Sequence, residues 1–513
     1  MKKILLYTAL ISLSVSCSDF LTTQPSDFMI EENYYKTEKH FETALVSVYD
    51  ALGQGGLYGS NMFCRLANEA DEGYYAREKL ITGPQVYNYS SSDEVIEGMW
   101  KSCYLGINRA NELLCRIDGA DIDENVKARI KGEALFLRAY YYFLLVQNWG
   151  DVPLILAPTS AVNNLEVART PKEVIYNKIL ADMKESEGLV DGIENIKHGG
   201  RVTRSAVRGI LARVCLYMAG ETVGDKMKYL EARNYAKAIM DDAAANHHLN
   251  PDYCDVFINY AQDKYDPAES IWEVEFWGNL TDAFSENGKV GAWIGIQYSH
   301  ADLAINPSYG YINATGVLYE RYEDGDARRD WNIAPFKYLA GGEKEMHEDT
   351  EKKHWTRNVG KWRREWEVHK NTTYNSSQNY PLLRFSDVLL MFAEADNELK
   401  NGPSSEALEA LNMVRIRAGA TPVSEGLDKG AFLKIIQEER SRELCFESLR
   451  RHDLIRWGIL IPTLKDVATK INFVDSKAYY SLSFKNIKER HLLFPIPSHE
   501  MALNKKLVQN PNW

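Results

Sequence analysis

The stretch from residue 380 to 458 places charge inside what is otherwise a buried helical face. It opens YPLLRFSDVLLMFAEADNELKNG and closes IIQEERSRELCFESLRRHDLIRWG. Apolar positions recur at helical spacing, interrupted by Arg384, Asp387, Glu394, Arg415, Glu439, Arg442 and Glu443. Across 388–395 the apolar residues go almost all the way round, the pattern of a helix buried in a large protein, and Glu394 falls inside it. An unpaired carboxylate there would be costly. The spacing therefore predicts an ion-paired helical core, with Glu394 and Glu439 as partners of Arg384, Arg415 and Arg442. Read as catalytic residues, Glu394 and Glu439 would instead be acid and base, but ion-pair networks perturb carboxylates just as active sites do.

A chain of 513 residues with 45% hydrophobic composition can bury a large core and hold two lobes. Its first residues stand apart. Lys2 and Lys3, an apolar run over 4–15 and then Ser16-Cys17 read as a secretory signal peptide, 1–16. The run is too short to span a bilayer. Cys17 sits where a bacterial lipoprotein is acylated, although Ser14 stands where a leucine is usual at such a site. A triacylated cysteine would anchor the chain without a transmembrane helix, and 17–30 (polar, with Pro25) would be its tether. The acidic balance, 72 Asp and Glu against 60 Lys and Arg, argues against nucleic acid as partner. The six remaining cysteines contain no CxxC, so no structural zinc site is expected. Cys103 and Cys115 fall on one predicted helix, about 18 Å apart, and cannot bridge.

In chain order, a first helix begins near Asn33 with Phe41, Leu45, Val48, Tyr49 and Leu52 on one face. A glycine-rich loop occupies 53–92. Helices follow at 93–117 and 123–148, the latter stopped by Gly150 and Pro153. Thr170 before Pro171 reads as an N-cap, and paired helices are expected at 203–219 and 228–245, then at 385–400 and 404–418. Small residues let such pairs lie close, as in tetratricopeptide repeats, but no clean 34-residue period is present. Helical periodicity fades between 250 and 380. Aromatics, Gly, Asn and Asp become frequent there, and 271–276 (IWEVEF) alternates like a short strand. Long irregular segments in a folded domain are usually functional or disordered, and the aromatic content here argues against disorder.

Catalytic signatures are missing: HExxH, GxSxG, GxxxxGK[ST] and GxGxxG do not occur. His247-His248 has no metal-spaced partner and reads as solvated. Asp324, Asp326 and Asp330 lack the glycine and terminal glutamate of a calcium loop and read as a solvated turn. No catalytic residue, metal or cofactor is assigned. Two loops instead combine flat rings with orienting polar groups, the chemistry that sugar C–H faces and hydroxyls require. The early loop holds Asn68, Asp71, Tyr74, Tyr75, Arg77, Tyr87, Asn88 and Tyr89; the later one holds Trp277, Trp293, Tyr298, Tyr309 and Tyr311. Each ring taken alone could simply pin its loop; together they make a binding surface. The ligand contacts expected are Asp71, Tyr74, Arg77, Tyr89, Trp277, Trp293 and Tyr309. Trp100 is expected in the core.

The order Arg384, Asp387, Ala393-Glu394-Ala395, Asn412, Arg415, Arg417-Ala418-Gly419, Glu439-Arg440, Glu443, Phe446-Glu447 and Asp453 to Trp457 resembles the SusD/RagB family. Two segments extend the resemblance, LFLRAYYYFLLVQNWGDVPLI at 135–155 and LLFPIPSHEMALNKKLVQNPNW at 492–513. It implies a mostly α fold of tetratricopeptide-like helix pairs with a loop-rich second lobe. An N-terminal helical region (31–245) would be followed by a C-terminal region (246–513) whose segment 250–380 faces the ligand. It further implies an outer membrane lipoprotein, anchored through Cys17 and facing outward. Such a protein binds a nutrient, most often a glycan, and delivers it to a SusC-like TonB-dependent transporter. A peptide ligand, as the RagB branch implies, and a surface glycan hydrolase are the competing readings.

Overall fold

The computed structural model describes residues 35–67, 70–159, 166–276, 288–300, 302, 304–368, 373–475 and 481–513. The signal segment, Cys17 and its tether, together with Asn68 and Trp277, lie outside these residues. Helix α1 (Glu38–Gly53) buries Phe41, Leu45, Val48 and Leu52 and is capped by the Thr37 hydroxyl. Asp93 and Asp123 cap α2 (Glu94–Ile117) and α3 (Glu124–Trp149), each carboxylate accepting two backbone N–H groups that the helix itself cannot satisfy. Helix α4 (Lys172–Glu187) corrects one expectation. Thr170 does not cap it; it pairs with Val152, and Asp151 accepts from Lys172 N–H at 2.8 Å in its place.

Helices α5 (Arg204–Ala219), α6 (Lys228–Met240) and α7 (Tyr253–Ala261) follow. The last third of the chain supplies α8 (Phe385–Lys400), α9 (Ser405–Arg417), α10 (Lys429–Leu444), α11 (Arg450–Arg456) and α12 (Leu460–Val474). Each of α1 to α5 packs on the next, α6 packs on α8, and α8 packs on α9 and α10, so the helices are layered largely in sequence order. Close approach needs small residues at the contacts. A Cβ on Gly106 of α2 would meet the Tyr141 ring of α3 at 2.3 Å. Trp100 is buried and packs edge-on against Trp149, 5.3 Å between centroids. Helix α3 is buried on every side from Ala134 to Val146 and forms the centre of the stack.

Against this stack lies the loop-rich part, held by three antiparallel strand pairs among the described residues. Strand β1 (Gly73–Tyr75) pairs with β3 (Ile312–Ala314), bringing the early glycine-rich loop to the later aromatic one. The alternating segment forms β2 (Ser270–Val274), which pairs with β6 (Tyr380–Arg384) at the entry to α8; β4 (Phe336–Tyr338) pairs with β5 (Lys344–Met346).

The charges within 380–458 join the two parts. Arg384 is buried where β6 runs into α8 and reaches Glu269 (2.8 Å), Glu443 (2.9 Å) and Glu447 (2.8 Å). Glu443 of α10 also takes Arg417 (2.6 Å) and Arg328 (3.1 Å), while Glu439 takes Arg328, Arg415 and Arg442. Glu394 is partnered not by the three arginines expected but by Arg456 and the Trp457 indole N–H at 2.9 Å. Asp387 bridges Arg213 of α5 to Arg440 of α10, each at 2.6 Å.

Two polar groups read as solvated prove structural. His247 is half-buried, bonds Ser205 Oγ at 2.8 Å and stacks on Phe385. Asp326 is buried and clamps Arg328 through Nε and Nη2. Cys103, Cys215 and Cys445 are buried free thiols, and Cys64 is buried as well.

Burial alone would raise the Glu439 carboxyl, but the charges of Arg328, Arg442 and Arg415 outweigh it and hold it at about 2. Asp387 is likewise held at about 2 against its burial by Arg440 and Arg213. Buried Glu273 forms no ion pair among the described residues, and burial, with Glu275 adding to it, pushes its carboxyl up to about 7 despite hydrogen bonds from Ser270 and Asn379. The signs oppose. Glu273 is protonated in the fold but ionised in the unfolded chain between its ordinary 4.5 and about 7, so stability falls as pH rises through that window. Glu439 and Asp387 contribute stability above their ordinary 4.5 and 3.8, lost as pH falls towards about 2. Urea midpoints should therefore peak at about pH 5 and drop on both sides. Arg384→Met, which removes the cation shared by three buried carboxylates, should lower unfolding free energy by about 3–5 kcal/mol in the same titration at pH 7.

Candidate functional site

One group of rings in the loop-rich part keeps part of its surface in solvent. The short helix Val290–Ile294 carries Trp293 and packs on the π-helical turn Met62–Leu66, which carries Arg65. Extended chain at 308–311 lies alongside: Tyr309 N–H donates to Ala292 O and Tyr311 N–H to Trp293 O, both at 2.7 Å. Ala76 N–H donates to Tyr311 O at 2.7 Å, which adds the end of β1 to the same ribbon. Ser376 N–H donates to Gly288 O at 2.7 Å and brings in the segment carrying Tyr374.

These backbone bonds build a column of four tyrosine rings. Tyr374 stacks on Tyr309 (3.7 Å, interplanar 7°), Tyr309 on Tyr311 (4.8 Å, 15°) and Tyr311 on Tyr75 (5.3 Å, 18°). Trp293 stands nearly perpendicular to Tyr311, at 81° and 5.8 Å. Tyr75 is buried at the inner end, whereas Tyr311, Tyr309, Tyr374 and Trp293 are half-buried. Side chains two apart on a strand are roughly 6.6–6.8 Å apart along it. The closer stacking of Tyr309 and Tyr311 coincides with a turn at Gly310, whose φ of +59° is left-handed; a Cβ there would also lie 2.9 Å from Asn358 Nδ2. Arg77 lies over the Tyr311 ring at 4.8 Å and holds the ribbon by donating to the carbonyls of Ala76 (2.8 Å), Gly310 (3.3 Å) and Tyr309. Lys289, preceding the short helix, donates to Asn375, next to Tyr374. No group of three or more metal-ligating side chains occurs among the described residues. Geometrically this is a ridge of aromatic faces and edges bordered by amide and cationic donors.

Residues 268–513 of the chain match the SusD family, and residues 19–216 match a family described as starch-binding, associating with outer membrane. The chain belongs to the SusD family. A relative in Formosa agariphila, SusD-like protein P25, is 26% identical over 567 aligned positions covering 99% of this chain and 98% of the relative. Among solved structures, a SusD homologue from Bacteroides thetaiotaomicron has a TM-score of 0.86 at 26% identity, covering 94% of this chain and 98% of its own. Surface glycan-binding protein A from the same organism, solved in complex with laminarihexaose, shares the fold at a TM-score of 0.71 and 22% identity, covering 93% of this chain and 100% of its own. The SusD fold of this chain is accordingly mostly helical, with the aromatic column on its loop-rich part.

Of the contacts expected from sequence, the structure of this SusD-family chain brings together Arg77, Trp293 and Tyr309. Three others are corrected. Asp71 is fully buried, and its carboxylate takes Arg450 (2.8 and 2.9 Å) and Arg321; burial would raise its carboxyl, but these two arginines hold it well below the usual range. Tyr74 is buried with its hydroxyl donating to Trp355 O. Tyr89 is buried between Trp513 and His491, at 5.0 and 5.3 Å. These three tie the early loop to the core, Asp71 just before β1, Tyr74 within it and Tyr89 after it. Tyr87 and Tyr298 are also buried. Trp277 and Asn68 lie outside the described residues.

Sequence reasoning missed Tyr374, Lys289 and Arg65. A signal existed for Tyr374, an isolated ring in the polar segment NTTYNSSQN. None existed for Arg65 or Lys289, which reach the column only through tertiary packing. Gly310→Ala, strained at a positive φ by about 1–2 kcal/mol, should pull Tyr309 from Tyr311; the change is measurable as altered near-ultraviolet circular dichroism with helical content retained.

Proposed function

We propose that the tyrosine column with Trp293 is the carbohydrate-binding site of an outer membrane nutrient-capture protein. The observation that carries this reading is the set of half-buried rings, held rigid by backbone hydrogen bonds and bordered by Arg77, Lys289 and Asn375. Sugar rings present C–H patches to aromatic faces, and their hydroxyls are met by amide and cationic donors. Rings fixed in advance lose little conformational entropy on binding. The glycan complex of a protein sharing the fold supports the same class of ligand. Acylation at Cys17 would tether the chain to the outer leaflet, and a SusC-like TonB-dependent transporter would receive the captured oligosaccharide. The role is binding, with no bond made or broken. A ridge bordered by donors, with no acid–base pair assigned to it, favours this reading over hydrolysis.

Affinity electrophoresis of the full chain in non-ionic detergent, across gels cast with different polysaccharides, tests the proposal. Retardation by at least one glycan is expected. Trp293→Ala and Tyr374→Ala should each weaken it about tenfold, the loss of one aromatic contact of about 1.4 kcal/mol. Retardation left unchanged by both variants would place the site elsewhere. Release of reducing ends by the purified chain would overturn the binding-only role.

A further inference from the structure

Three cationic side chains converge on the column, and none of them is neutralised by a described carboxylate. Arg77 lies over Tyr311, and its hydrogen bonds all end on backbone carbonyls, which fix the guanidinium without cancelling its charge. Arg65 lies 5.9 Å from the centre of the Trp293 ring, and its Nε–H is buried with no acceptor among the described residues. Lys289 donates to the neutral Asn375 amide. All three are half-buried. Burial, with the nearby charge of Arg364 adding to it, moves the Lys289 ammonium below its usual range. Arg364 itself is clamped by Glu367 at 2.8 Å, and Asp93, an acid within electrostatic range of Arg65, is engaged as the cap of α2.

The pattern departs from the rest of the molecule. Acids outnumber bases in this chain, 72 to 60, and most buried arginines meet carboxylates, as Arg384, Arg328 and Arg456 do; Arg451, which donates to the His491 carbonyl, is an exception. Partly desolvated charge without a counter-charge is unfavourable in a free protein, and such groups gather where a ligand supplies the missing charge. Because the three are half-buried, salt screens them less than it would surface lysines.

We infer that the glycan taken by the column is anionic, its carboxylate or sulfate groups meeting Arg65, Arg77 and Lys289 while its rings pack on Trp293 and the tyrosines. The inference rests on the carbohydrate-binding reading of the same site and adds the charge class of the ligand. Arginine favours this chemistry, since its planar fork matches both carboxylate and sulfate oxygens.

The test compares the full chain in gels of alginate and polygalacturonate (carboxylated), carrageenan (sulfated), and laminarin and starch (neutral). Retardation by a carboxylated or sulfated polymer is expected, and which of the two retards identifies the acidic group. Lys289→Met and Arg65→Met, which keep an unbranched apolar stem but remove the charge, should each weaken it about tenfold, as loss of one charge-assisted contact does. Raising sodium chloride from low to physiological concentration should weaken it as well. Binding of laminarin or starch that depends on Trp293 but is unaltered by salt and by Lys289→Met would overturn the anionic assignment and leave the carbohydrate site standing. Polyanion retardation unchanged in both cation variants would also overturn it. Retardation by none of the five polymers would overturn both readings.

Discussion

Glu443 is the constraint from which the rest of the structure follows. It sits on α10 and accepts from Arg384 at the β6–α8 junction, Arg417 at the end of α9, and Arg328 from the loop-rich part. Its oxygens thus join three helices of the stack to the segments that carry the aromatic column. Glu439, one helical turn earlier, repeats the arrangement with Arg328, Arg415 and Arg442. Burying so many charges costs several kcal/mol per ion unless each lone pair and proton is satisfied. Here each arginine meets carboxylates in several directions. A network of this kind specifies one relative placement of helices and loops, because any other leaves charge unpaired in a low-dielectric interior.

That fixed placement is what the candidate site requires. The rings lie on short, irregular elements: a helix of five residues, a π-helical turn, a three-residue strand and extended chain. None would hold its shape alone, since isolated short helices and hairpins are marginal in water. They hold because backbone hydrogen bonds lace them together and because Asp71, buried between Arg450 and Arg321, anchors the start of β1 to the helical part. Asp71 therefore acts on the column through its support, even though it does not belong to the binding surface.

The separation of roles has a physical basis. Carboxylates are concentrated in the network that joins the parts, where arginines outweigh the effect of burial and keep Glu439, Asp387 and Glu443 ionised. The ring surface has donors and cations at its border. A platform of this character suits the anionic glycan proposed for it, while the charge that stabilises the fold is satisfied within.

How much of this was legible beforehand differs by residue. The amphipathic spacing of Phe41, Leu45, Val48 and Leu52 and the buried run around Glu394 are local patterns, so the helices and the ion-paired core could be read from sequence alone. So could the SusD resemblance, which lies in those same core residues. The partner of Glu394 could not: Arg456 and Arg384 are equally available along the chain, and only the tertiary placement that brings Arg456 of α11 to α8 selects one. The site divides the same way. An aromatic in a polar loop is a local fact, but whether it points inward like Tyr74 and Tyr89 or remains half-exposed like Tyr309 and Trp293 depends on which strand its backbone joins. Sequence determined which segments would be helical and which would be aromatic loops. Tertiary structure decided which rings stack, because strand register and the turn at Gly310 orient side chains that are distant along the chain.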